Sequence, residues 1–304
     1  MHQPTACDVT DVINVPVPGV KDDALSHLGC IASGSFGCVH RAYCHQLKLE
    51  CAVKRALSGG KLRNERLNVE IRLLKLLRHP RVVSYMRAKL HATDSYLVME
   101  YAAGGCLNDR IVSGAGCGGE DGCRHVWRQV VQALVYLHRH RMGIVHRDVK
   151  PENVLLMDAA ARPAAKLCDF GLSCRRAHAR RMSDTNGTCE FAAPRILLNK
   201  LRHQAEPFTS SVDVWSVGVS VHKCALDGRH PFAFVAGAGG VGCGDLDGLV
   251  RSIEAPAAEE EVDRRLSGLS AELRDFIAVC LTRDGSVRPN VEALQSHKWL
   301  EGSS

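Results

Sequence analysis

The sequence predicts an α+β protein of two lobes, a small, mostly β lobe followed by a larger, mostly α-helical one. Three observations carry this. Between residues 28 and 101 the pattern is strand-like and is broken by a single helix. From residue 102 onward apolar residues recur at helical spacing over 126–140, 212–226, 271–280 and 291–300. The length of 304 residues is large for one core, since single cores stop growing at about 250–300 residues, but natural for two lobes packed around a cleft.

Residues 1–25 show no strong period and carry Pro16 and Pro18, so they are expected to form a short extended lead-in. One domain should then occupy 26–300, its lobes covering about 26–101 and 102–300. The helix of the first lobe is read over 69–77, where Val69, Ile71, Leu73, Leu74 and Leu77 recur at helical spacing and His79-Pro80 stops it. Two Gly-rich stretches, 113–122 and 236–248, interrupt the helical lobe and are read as solvent-exposed loops. There is no internal repeat.

Composition excludes several classes. With 45% apolar and 24% charged residues, disordered, collagen-like and coiled-coil chains fall away. The net charge of +6 is scattered rather than gathered into a stripe, so no nucleic-acid partner is expected. No stretch approaches the about 18–20 apolar residues of a membrane span, and residues 1–18 lack the pattern of a signal peptide. A soluble, cytoplasmic protein is the expectation, with nuclear entry left open. The fourteen cysteines are dispersed, with no C-x-x-C pair and no Cys/His cluster at zinc spacing, so reduced thiols acting mostly as small buried hydrophobes are expected.

The run Ala32-Ser33-Gly34-Ser35-Phe36-Gly37-Cys38-Val39 lies between strand-like segments. Its glycines let backbone N–H groups approach phosphate oxygens, and Val39 could cover a base, yet taken alone the run reads more simply as a hairpin turn. In Cys51-Ala52-Val53-Lys54 a single lysine ends an apolar run. Burying it is costly unless it meets an anion; phosphate oxygens with Glu70 would satisfy it, whereas the plain alternative is a snorkelling lysine and an ordinary helix glutamate.

The strongest signal is Val145-His146-Arg147-Asp148-Val149-Lys150-Pro151-Glu152-Asn153-Val154-Leu155-Leu156, followed by Leu167-Cys168-Asp169-Phe170-Gly171. Two acids and an asparagine at fixed offsets suit a site that holds a divalent metal over a triphosphate and receives a hydroxyl proton. Here the chain resembles the eukaryotic protein kinase family. The resemblance covers about 28–300 and includes Val98-Met99-Glu100-Tyr101, Gly187-Thr188, Ala193-Pro194, Asp213-Val214-Trp215-Ser216-Val217-Gly218 and Arg288-Pro289.

The resemblance implies a bilobal fold, with a five-stranded antiparallel sheet and one main helix above a helical lobe, and ATP with Mg²⁺ between them. By it, Asp148 is the catalytic base, Lys150 stabilises the transferred phosphoryl group, and Asn153 and Asp169 hold Mg²⁺. Ala32, Ser33, Gly34, Ser35, Phe36 and Gly37 cover the phosphates, and Lys54, paired with Glu70, binds them. Val39, Ala52 and Leu155 flank the adenine, Met99 is the gatekeeper, and Glu100 and Ala102 offer backbone groups. Leu74, Tyr85, His146 and Phe170 form a stack that couples the lobes.

Lys150 with Gly187-Thr188 resembles the serine/threonine kinases, so a Ser or Thr acceptor on a protein substrate is implied. The segment 187–194 and the closing stretch 269–300 look most like the calcium/calmodulin-dependent group. No calmodulin-binding tail follows residue 300, and calcium regulation is not expected. Arg147 suggests a phosphate on the activation segment, placed by an upstream kinase or by autophosphorylation at Thr185 or Ser183, Thr185 favoured, although Arg175, Arg176, Arg180 and Arg181 could bind any anion. Thr188 is expected to contact Asp148 and Lys150. Cys168 and Cys38 are open to alkylation but read more simply as inert.

Three departures matter. Ala32 replaces the first loop glycine, which suggests weaker ATP affinity. Arg195 stands where the family has a glutamate paired with the arginine matching Arg288, so two arginines should face each other and dock the activation segment less firmly. Cys106 and Lys223 stand where kinases that prefer basic substrates have glutamates, leaving only Glu152, so no strong preference for an upstream arginine is expected. Ala32 and Arg195 favour a rival reading, a pseudokinase scaffold; a small-molecule phosphotransferase is a second rival.

Overall fold

The computed structural model describes residues 25–34, 37–56, 61–90, 95–179, 188–204, 206–232 and 245–302. The chain divides between Ala103 and Gly104 into two compact units. Ser35, Phe36, Ser183, Thr185, Gly187, Arg180 and Arg181 lie outside the described residues, as do 1–24 of the lead-in.

The first unit is a five-stranded antiparallel sheet built from β1 (Leu25–Gly34), β2 (Gly37–Cys44), β3 (Leu49–Arg55), β4 (Tyr85–Lys89) and β5 (Tyr96–Glu100), in the order β1-β2-β3-β5-β4, with α1 (Lys61–Leu74) between β3 and β4. Register sorts its side chains onto two faces. One face holds the apolar cluster of Leu25, Ala42, Cys44, Cys51, Val53, Tyr96 and Val98. The other carries Val39 opposite Lys54, Lys54 opposite Leu97 and Ala52 opposite Met99.

Helix α1 begins eight residues before the predicted start at 69 and ends at Leu74, not 77. Its first turns, Lys-Leu-Arg-Asn-Glu-Arg-Leu-Asn, bury a single leucine, Leu67, and dock through hydrogen bonds as well. Asn64 Oδ1 accepts from Ser95 N at 3.1 Å, and Ser95 Oγ donates to Asn68 Oδ1 at 2.6 Å. A period search cannot see such a helix start.

The second unit is mostly helical: α2 (Leu107–Val112), α3 (Gly119–Arg139), α4 (Arg176–Ala179), α5 (Pro194–Arg202), α6 (Ser211–Ala225), α7 (Leu246–Glu254), α8 (Ala258–Arg265), α9 (Ala271–Cys280), α10 (Val291–Gln295) and α11 (Lys298–Glu301). Short strand pairs join β6 (Ile144–Val145) to β9 (Cys174–Arg175) and β7 (Val154–Leu156) to β8 (Ala165–Leu167). Helix α6 is buried on nearly every side, its polar side chains included, as expected of a mainly apolar run at the centre of a core. Among the described residues no helix is long and apolar enough to cross a membrane.

Three readings need correction. Residues 119–122 are not loop but the first turn of α3, where Glu120 accepts from Ser270 Oγ at 2.5 Å and Trp299 Nε1 at 3.1 Å; the glycines hid the helix. Gly248 lies in α7, its N–H donating to the Asp245 cap at 2.7 Å, while 236–244 are outside the described residues. The stretch 291–300 is two short helices, because His297 Nδ1 turns back to accept Trp299 N at 3.2 Å and starts a new one.

Gly218 marks the closest approach of α6 to its neighbours: a Cβ there would lie 2.6 Å from Cys280 Cβ and 2.9 Å from Leu281 Cδ2. Alanine gains about 1 kcal/mol over glycine in helix propensity, but overpacking typically costs about 1–3 kcal/mol, and Cys280 Cβ is too near the backbone to yield. Gly218→Ala should therefore lower the melting temperature. A thermal scan showing it unchanged or raised would refute this packing argument.

Candidate active site

The segment around Asp148 is held from beneath by one carboxylate. Asp213, wholly buried on α6, accepts His146 N at 2.9 Å and Arg147 N at 2.8 Å, and faces His138 Nε2 at 2.8 Å. Burial alone would push its carboxyl up, but His138 and the backbone donors hold it below the usual range. Arg147 adopts a left-handed backbone in this grip, φ 72°, uncommon for any residue but glycine.

His146 is also buried, and burial lowers its pKa, keeping the ring neutral. Nδ1 accepts Asp148 N at 3.3 Å, so Nε2 carries the proton and donates to the Cys168 carbonyl at 3.0 Å. Its edge meets Phe170, ring centroids 5.0 Å apart. A second tie joins the same segments, Cys168 N to Asn153 O at 2.9 Å.

Asp148, 5% exposed, is surrounded by donors. Lys150 Nζ and Asn153 Nδ2 each lie 2.9 Å from Oδ2, and Thr188 Oγ1 donates to Oδ1 at 3.1 Å while accepting from Lys150 Nζ at 2.6 Å. This carboxylate already orients one hydroxyl group. Asn153 spends its donors on the Asp148 carbonyl, at 2.7 Å, and carboxylate, which leaves its amide oxygen to face elsewhere. Asp169 adopts φ 61° and accepts Gly171 N at 3.2 Å. One amide oxygen and one carboxylate are hard donors that fit Mg²⁺, an ion that keeps several waters and takes further oxygens from phosphates.

In the first unit Lys54 Nζ and Glu70 Oε2 form a buried ion pair at 2.8 Å, Glu70 being 1% exposed. Ala32 and Ser33 are exposed on β1, paired with Val39 and Cys38, and Gly34 pairs with Gly37. Gly37 has φ 137°, and a Cβ there would run into the Arg55 carbonyl, so glycine is required. Val39, Ala52, Lys54 and Met99 share one sheet face by register. Glu100 binds Ser84 twice, N to O at 3.1 Å and Oε1 to N at 2.6 Å, and Ala102 is buried just beyond. Leu155 belongs to the second unit, on β7, bridged to Cys106.

Two elements escaped the reading of the sequence. Asp213 was part of a motif without a role, although an acid inside the apolar run 212–221 must find donors. The pair Lys223 Nζ to Glu190 Oε1, 2.7 Å, with Lys223 4.9 Å above the Phe191 ring, joins residues 33 positions apart. Nothing local signals it.

A family model described as Protein kinase domain matches residues 25–300. Calcium-dependent protein kinase 3 of Plasmodium berghei is 30% identical over 273 residues, 89% of this chain and 45% of that protein. Calcium/calmodulin-dependent protein kinase type 1 of Caenorhabditis briggsae is 32% identical over 257 residues, 84% and 65% respectively. Serine/threonine-protein kinase SRK2A of Physcomitrium patens is 31% identical over 285 residues, 93% and 76%. The chain thus spans less than half the length of the Plasmodium relative.

Arg195 and Arg288 do not confront each other as expected. Arg195, about half exposed, turns to Glu206. Arg288, 6% exposed, donates to the carbonyls of Thr282 at 2.8 Å, Ser211 at 2.9 Å and Arg283 at 3.1 Å, and lies 5.1 Å above Trp215. Among the described residues no carboxylate forms an ion pair with it, and burial pushes its pKa down to about 10, against the pull of nearby Asp284. Both arginines line one cavity of about 570 Å³. Arg195→Glu sacrifices an exposed pair worth about 0–1 kcal/mol and brings a carboxylate toward a buried guanidinium held by neutral carbonyls. The melting temperature should rise; if it stays level or falls, Arg288 is already satisfied by its carbonyls.

Proposed function

The chain belongs to the protein kinase domain family, among its serine/threonine kinases, and from that premise we propose that it transfers the γ-phosphoryl group of ATP to Ser or Thr hydroxyls of protein substrates. The single observation that carries this reading is the Asp148 carboxylate gathered with Lys150, Asn153 and Thr188 in one hydrogen-bonded cluster.

In this reading Asp148 orients the acceptor hydroxyl and takes its proton, as it already holds the Thr188 hydroxyl. Lys150, within 2.9 Å of Asp148, offsets charge gathering on the transferred group. Asn153 and Asp169 hold Mg²⁺, which when bound neutralises phosphate charge. Lys54, kept in place by Glu70, binds phosphate oxygens, and residues 32–37 cover them. Val39, Ala52 and Leu155 flank the base, Met99 borders it, and Glu100 and Ala102 offer it backbone groups. Ala32 supports a weakened ATP affinity rather than lost function.

Purified protein, labelled ATP, Mg²⁺ and a generic Ser/Thr acceptor form the direct test, run before and after phosphatase treatment. Asp148→Asn should lose about 10²–10⁴-fold in rate while ATP still raises the melting temperature. Asp169→Ala should lose transfer as well. If the treated protein slows and recovers on rephosphorylation at Thr185 or Ser183, a phosphate there activates it; full activity without phosphate removes that part. No transfer from any form, with ATP still bound, would favour the scaffold reading.

Substrate choice follows from charge. Lys223 neutralises Glu190, and burial pushes the Cys106 thiol up to about 12, so it stays uncharged. Of the three positions 106, 152 and 223, only Glu152 carries an acid that could attract a basic residue. A peptide library should show no selection for arginine upstream of the acceptor, and Lys223→Glu should introduce it several-fold; strong arginine selection by the unaltered protein would contradict this.

A further inference from the structure

The cavity that holds Arg288 combines apolar walls with a surplus of cations. It encloses about 570 Å³ between α5, the start of α6, the end of α7 and the turn before Arg288. Leu198, Phe208, Val212 and Ile253 line it, the last three of them buried. Arg195, Arg283 and Arg288 line it too, against the acids Glu254 and Asp284.

Two of the three arginines face a carboxylate, Arg195 that of Glu206 and Arg283 that of Glu259 at 3.3 Å. Arg288 is different. The Asp284 Oδ1 atom turns into its own loop, where it accepts Ser286 N at 2.8 Å and Ser286 Oγ at 2.7 Å, and Glu254 is exposed at the end of α7. A guanidinium carries five N–H groups, and Arg288 gives one from Nε to Thr282, one from Nη1 to Ser211 and one from Nη2 to Arg283. One N–H on each terminal nitrogen is left without an acceptor among the described residues. The plane of the fork is set by Trp215, 5.1 Å away. Two N–H groups on a rigid fork suit the paired oxygens of a carboxylate, and burial makes leaving them unmatched costly.

We propose that this cavity is a binding site for an acidic peptide segment, with a glutamate side chain reaching Arg288 and apolar neighbours covering its walls and rim. The volume lies in the range of sites that enclose organic ligands and exceeds what one carboxylate fills. A glutamate stem can rest on Leu198 and Phe208 while its carboxylate meets the guanidinium. Val287, next to Arg288 and 70% exposed, offers an apolar residue of the same peptide a place on the rim. A bare inorganic anion would leave the apolar walls uncovered. Binding of this kind needs neither ATP nor phosphoryl transfer.

The test titrates the full chain, without nucleotide, with the capped tripeptides acetyl-Leu-Glu-Leu-amide and acetyl-Leu-Gln-Leu-amide. Calorimetry reads affinity, and tryptophan emission reports on the site because Trp215 lies against Arg288. The glutamate peptide should bind at least about tenfold more tightly than the glutamine peptide, and added salt should weaken it. Arg195→Glu places a carboxylate in the cavity without touching the bonds Arg288 makes, and should abolish binding. Val287→Asp, at an exposed position, should weaken it several-fold, with melting curves confirming that both variants fold. The proposal is overturned if the two peptides bind alike, if neither binds, or if both variants bind the glutamate peptide as tightly as the parent. Inorganic phosphate binding where the glutamate peptide does not would also overturn it, in favour of a bare anion.

Discussion

The buried carboxylate of Asp213 is the constraint on which the helical unit depends. An ionised acid at the centre of a core is tolerable only when donors replace its water, and Asp213 has two backbone N–H groups and a histidine within 2.9 Å. Those two N–H groups belong to His146 and Arg147, so satisfying the acid also dictates the path of the chain into Asp148. The strained φ of Arg147 is the geometric cost. From there the order propagates by short contacts, from Asp148 to Asn153, Lys150 and Thr188. Because the folded carboxyl lies below its unfolded value, its contribution is present above the ordinary carboxylate range and is lost as pH falls through the folded pKa.

Much of the candidate site was readable because its chemistry demands particular residue types at particular offsets. Asp148, Lys150, Asn153 and Asp169 are close in sequence, and the Lys54–Glu70 pair could be anticipated from a lysine that burial forbids to stand alone. The sheet and the helical unit were readable from period. What escaped has a common cause, contacts made by polar or small residues distant in sequence. The start of α1 docks through Asn64 and Asn68, and α3 begins among glycines because Glu120 is held by Ser270 and Trp299. Each leaves only a fragment of an apolar period, Leu67 alone at the start of α1.

The cations at positions 195 and 223 show how a network takes up a positive charge. Each new cation found an acid, Glu206 for Arg195 and Glu190 for Lys223. The two outcomes differ in weight. Arg195 and Glu206 are about half exposed, where a pair contributes little, whereas Lys223 is 12% exposed and packed on Phe191. The first exchange leaves Arg288 buried with carbonyls alone. The second removes a negative charge from the segment that follows Thr188.

Helix α6 connects these features. Its first turn carries Asp213 beneath the segment around Asp148, Ser216 Oγ donates to the Phe191 carbonyl at 2.8 Å, and its last turns carry Lys223 on Glu190 and Cys224, which accepts from Trp127 Nε1. Gly218 lets it press against Cys280 and Leu281 midway. A close-packed helix transmits displacement rather than absorbing it. Lys223 at its far end ties it to Glu190, two positions from Thr188, whose hydroxyl donates to Asp148.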